Sequence, residues 1–89
     1  MSTHESHPDI IKRLKKSEGH IKSVIKMLES GRSCLDIAQQ LHAVEKAINS
    51  AKKILIHDHI DHCLNESISE NKTSSELAVK EFKEITKYL

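Results

Sequence analysis

From residue 34 to residue 63 the chain contains no proline and no glycine. Within that run Ile37, Leu41, Val44, Ile48, Ala51 and Leu55 alternate by four and three, the spacing of a heptad seam. A segment that long with that period reads as one helix. Stepping the alternation back once lands on Cys34. Leu35, Ala38, Ala47, Ile54 and Ile60 lie off the seam. A helix apolar over so wide an arc occupies the centre of its fold, and a single short hairpin partner cannot cover it. Self-association through this helix is therefore expected, with a dimer as the minimum.

The flanking sequence punctuates two more helices. Ser6, Pro8 and Asp9 form a start signal: a hydroxyl, a proline in the first turn and a carboxylate at the positive end. Ile10, Leu14, Ile21, Val24, Ile25 and Leu28 then recur at helical spacing up to Gly31, a C-terminal stop. Ser33, with Asp36 three residues later, reads as the cap of the long helix. After residue 63 the polar stretch "NESISENKTSS" is expected to separate a third helix, capped by Thr73 with Glu76. Its apolar face is Ala78, Phe82, Ile85 and Leu89. Phe82 and Tyr88 are the aromatic residues of the chain, and with two glycines a sheet is excluded on strand and turn chemistry. The expected fold is all-α: three helices in a single domain over residues 1–89, residues 1–8 forming a flexible lead.

"IHDHIDHC" places three histidines and a cysteine in residues 56 to 63. At 100° per residue His59, His62 and Cys63 share a helix face, and His57 points the other way. His59 and Cys63, at i and i+4, stand one above the other. A thiolate with an imidazole is half of a site for Cu(I), Zn(II) or Ni(II). Cys34 is the remaining soft donor, but 25 residues of helix, roughly 37 Å, separate it from His59. Two antiparallel copies of the helix place Cys34 of one opposite His59 and Cys63 of the other, giving two equivalent sites by two-fold symmetry. Against this stands the simpler reading of Cys34 as a small apolar seam residue. The helix dipole alone accounts for His57 and His62 near a C-terminus. His20 and His42 read as structural or solvated.

With two cysteines and no secretory signal pattern, no disulfide framework is expected, and a reducing cytoplasm is the assigned compartment. No apolar run is long enough to span a bilayer. There is no Gly-rich turn and little room for a substrate pocket, so the chain is read as a non-enzyme. Fourteen Lys and Arg nearly balance thirteen Asp and Glu, and net charge demands no polyanionic partner. The distribution is less even. Lys12, Arg13, Lys15, Lys16, Lys22 and Lys26 face one acid, Glu18, between residues 12 and 26, and Lys52 and Lys53 follow later. Such charges either form a solvated face or, repeated by symmetry, neutralise phosphates of duplex DNA.

Taken together, "EGHIKSVIKMLES", Cys34 followed by "QQLHAVEKAI", and "HDHIDHC" resemble the copper-sensitive operon repressor family. The likeness runs from about residue 10 to the C-terminus. It implies three helices per chain, an antiparallel dimer forming a four-helix bundle, and a dimer-of-dimers tetramer. It also implies a repressor that binds double-stranded operator DNA as apo-protein and releases it on binding an inducer. By position, Cys34, His59 and Cys63 match the ligands of the copper(I) sensors, Arg13 and Lys16 match first-helix DNA-binding positions, and Lys12, Lys52 and Lys53 are further candidates. Glu81 is the candidate acidic partner to the ligands. Nickel- and cobalt-sensing members recruit an N-terminal histidine, for which His4 and His7 are available, so Ni(II) and Co(II) stand as alternatives to Cu(I). Sensors of formaldehyde or persulfide that use the thiols without a metal are a further alternative. A metal-handling protein without a DNA role is the rival outside the family.

Overall fold

We describe residues 5–69 and 72–89 of a computed structural model, with all of their side chains except 63, 66–69 and 72–75. Three α-helices follow one another, α1 (His7–Glu29), α2 (Cys34–Ser69) and α3 (Lys72–Ile85), and a short 3-10 turn closes the chain (Thr86–Tyr88). Contacts group the chain into two compact units. One is Pro8–Lys52; the other is Lys53–Leu89 together with the segment ending at His7.

The Pro8–Lys52 unit is a helical hairpin whose turn is set by local chemistry. Gly31 takes φ 72°, the left-handed conformation. Arg32 N–H donates to the Met27 carbonyl at 3.0 Å and Gly31 N–H to that of Leu28 at 3.3 Å, a Schellman close that satisfies carbonyls left open at the helix end. Two residues later Asp36 N–H donates to Ser33 Oγ at 3.1 Å, so Ser33 caps α2 as its sequence position indicates. Arg32 reaches Asp36 at 3.5 Å across the same corner. The core of the unit is Val24 against Ile37 and Val44, with Met27 packed beside them. Ile10 and Ala51 are also buried.

The seam of α2 divides in two. Ile37, Val44 and Ala51 are 3–8% exposed, whereas Leu41, Ile48 and Leu55 keep 40–50% of their surface open. α1 behaves alike: Ile10 and Val24 are buried, but Leu14, Ile21, Ile25 and Leu28 remain 40–59% exposed. The hairpin therefore buries one edge of each apolar stripe and leaves the other open.

In the Lys53–Leu89 unit, Ile56 and Ala78 are buried and Ile85 is half-buried. Here the boundaries differ from the sequence reading. α2 does not stop near residue 63 but continues to Ser69, through the first five residues of the polar stretch expected to interrupt it. Asn, Glu and Ser lower helix propensity by only tenths of a kcal/mol each, and propagation from a formed helix is easy where neither Gly nor Pro intervenes. α3 starts at Lys72, so Thr73 lies inside the helix and not at its cap. Leu89, expected on the apolar face of α3, follows the 3-10 turn and is 61% exposed. No helix among the described residues is long and apolar enough to cross a membrane.

Candidate metal centre

His59 lies on α2 with its side chain 23% exposed, and its Nε2 stands 3.3 Å from Glu81 Oε2 on α3. The two helices thus bring together the central histidine of the 57–63 cluster and the acid read as its partner. Both stand on the wall of a cavity of about 660 Å³ that Leu77, Ile85 and Tyr88 also line. Lys80 and Glu84 add charge at the same wall. With its Nε2 facing a carboxylate, the His59 ring is oriented by a partner on α3, an arrangement that recurs where a histidine binds a metal.

The remaining expected ligands are distributed as follows. Cys34 is the first residue of α2, exposed and in the reduced form. Cys63 belongs to α2 by its backbone, one turn after His59, and its side chain lies outside the described residues. His4 lies outside them altogether. His7 opens α1 and is half-buried. Among the described residues no group of three or more His, Cys, Asp or Glu side chains stands close enough to hold a metal. The structure unites His59 with Glu81 and leaves Cys34 in the other compact unit.

A contact that the sequence did not reveal joins Ser6 to α2. The Ser6 hydroxyl donates to the Asp58 carboxylate on α2, across 52 positions of chain. This sets the residue before His7 beside the histidine-rich stretch. Nothing short of packing could have disclosed it, because neither residue belongs to a local motif.

The basic residues lie on the helix surfaces. Lys12, Lys52 and Lys53 are exposed. Arg13 pairs with Asp9 at 2.9 Å, both side chains about half-exposed. Lys16 is exposed on the same helix and lines, with Arg13, a smaller cavity in the Pro8–Lys52 unit. His20, read as structural, is held by Gln40: its Nε2–H donates to Oε1 at 2.6 Å. His42 is exposed, 3.7 Å from Glu45.

A family model for metal-sensitive transcriptional repressors matches residues 6–89. The chain belongs to the metal-sensitive transcriptional repressor family. It is 35% identical over 82 residues to the copper-sensing transcriptional repressor CsoR of Bacillus subtilis, a match covering 88% of this chain and 79% of that protein. To CsoR of Mycobacterium ulcerans it is 34% identical over 58 residues, 65% of this chain. That match spans half the length of the mycobacterial protein. Among solved structures, the nickel-responsive transcriptional regulator InrS superimposes with a TM-score of 0.83 at 26% identity, over 99% of this chain and 97% of InrS. The all-α, three-helix fold is thus that of the repressor family, and the family is one of transcriptional repressors and not of enzymes.

Proposed function

We propose that this chain is a metal-responsive repressor that holds operator DNA in its apo-form and releases it on taking up Cu(I). The observation that carries the reading is the His59–Glu81 pair: a half-buried imidazole on the soft-donor helix, already oriented by a carboxylate. In this reading Cys34 of one subunit joins His59 and Cys63 of an antiparallel neighbour, and Glu81 fixes the His59 ring from α3. Two thiolates and one imidazole are a soft, low-coordination donor set, which suits Cu(I).

Self-association is part of the proposal. The open edges of the α1 and α2 stripes, with Leu41 and Ile48 at 50% and 42% exposure, offer the apolar surface for a dimer. A second association gives the tetramer, in which the Arg13 and Lys16 patches repeat and meet duplex phosphates. Ligation across the dimer fixes a subunit arrangement in which those patches no longer match the DNA. Metal and DNA then weaken each other's binding by the same factor. The cytoplasm is the proposed compartment.

Ni(II) or Co(II) is the second reading. It is favoured by the Ser6–Asp58 hydrogen bond, which sets the residue before His7 beside the 57–63 stretch, and by the likeness to nickel-responsive InrS. The two readings separate in an anaerobic titration of reduced protein with Cu(I) or Ni(II) against a competing chelator. The copper reading expects one equivalent of Cu(I) per chain to survive the chelator while Ni(II) is stripped. Retention of Ni(II), lost on replacing His4 and His7, moves the assignment to nickel. Capture of neither ion rejects both and leaves thiol chemistry at Cys34.

A further inference from the structure

Between α1 and α2 of the Pro8–Lys52 unit lies a cavity of about 180 Å³, lined by Arg13, Lys16, Ser17, His20, Ala47 and Ser50. On α1 the lining residues follow helical periodicity, Arg13, Ser17 and His20 stepping by four and three with Lys16 alongside. On α2, Ala47 and Ser50 are one turn apart. Two lasting cations, two hydroxyls and an imidazole converge there, and no carboxylate is among the lining side chains. Asp9 is the neighbouring acid, and it engages Arg13 through Nε, leaving the guanidinium further N–H donors. The wall is preset: Gln40 anchors the His20 ring at 2.6 Å. Ser17, at 5% exposure, is the buried polar residue of the described chain, and its hydroxyl can turn to donate at the cavity wall.

We propose that this cavity seats a single phosphate group. Its volume, about 180 Å³, is below the ~300–1,000 Å³ of pockets for drug-sized ligands and suits one tetrahedral oxyanion. Cations with hydroxyl donors are the chemistry that recognises phosphate. The phosphate comes either from the operator backbone, in which case the inference rests on the DNA-binding reading above, or from free inorganic phosphate. The seat extends that reading from two surface cations to a shaped pocket in which the Ser17 and Ser50 hydroxyls fix where the phosphate sits beside Arg13 and Lys16, and the Gln40-anchored His20 ring forms part of the wall.

The test is a titration of the full-length, metal-free, isotopically labelled protein at low salt with inorganic phosphate, and separately with a short duplex, followed by amide chemical shifts. Phosphate is expected to move the Ser17, His20 and Ser50 amides saturably. Two exposed-position variants attack the pocket by different means: Ser50→Asp places a like charge in it, and Ala47→Leu fills it with neutral volume. Each is expected to lower phosphate affinity about tenfold or more while far-UV circular dichroism stays helical. If the duplex moves the same amides and phosphate competes it away, the operator backbone is the natural occupant. If phosphate binds there and the duplex binds equally well to wild type and Ser50→Asp, the seat belongs to the free anion. Phosphate shifts spread over surface lysines without saturation, or unchanged affinity in both variants, would overturn the proposal. Metal-driven release of DNA is read separately and stands or falls without it.

Discussion

Glu81 is the side chain whose replacement reports most directly on His59. Glu81→Gln keeps the shape and removes the charge 3.3 Å from Nε2. Loss of such an outer partner typically weakens metal binding by roughly 10- to 100-fold. That loss is expected in chelator competition, with apo-protein affinity for DNA unchanged. At the hairpin corner Gly31→Ala is expected to lower stability by about 1–2 kcal/mol in urea denaturation. The effect is purely conformational, since φ is 72° and an added Cβ meets nothing within 4 Å. Ser33→Ala removes the acceptor for Asp36 N–H and is expected to lower stability by about 1 kcal/mol. The corner residues were legible in the sequence because capping is chemistry within four residues. Glu81 was legible only as a candidate, because its pairing with His59 depends on how α2 and α3 pack. Ser6–Asp58 and the Ser17–Ser50 cavity were not legible. They join positions far apart in the chain, and only packing selects such pairs.

At the scale of the element, α2 carries both the seam and the soft donors. Its period was plain from residue 37 to 55, but its end was misplaced: polar side chains were read as a break, whereas a helix without Gly or Pro continues through them to Ser69. What the alternation could not show is that Ile37, Val44 and Ala51 would be covered within the hairpin while Leu41, Ile48 and Leu55 stay open. That division marks the edge on which the proposed dimer is built. Replacing Leu41 and Ile48 together with Lys is expected to shift sedimentation to a smaller species. The same variant is expected to lose Cu(I) retention against a chelator, because the three donors then never meet. An unchanged sedimentation coefficient would place the subunit contact elsewhere.

Over the whole molecule the net charge is only +1, so attraction to DNA depends on where the charge lies and not on its sum. Arg13→Ala and Lys16→Ala are each expected to reduce the salt slope of DNA affinity by about 1 and to weaken binding across sequences alike. The proposed coupling of that basic face to the soft donors is what makes the chain a sensor. It is tested most directly by the affinity of reduced protein for its operator duplex, selected from random sequence, with and without one equivalent of Cu(I), in wild type and Cys34→Ala. The expected result is a weakening of wild-type binding by roughly 5- to 150-fold with Cu(I), and no change in Cys34→Ala, which stays on the DNA. Wild-type protein that holds its operator equally well with Cu(I), or a Cys34→Ala variant that still releases it, would contradict the intersubunit metal switch.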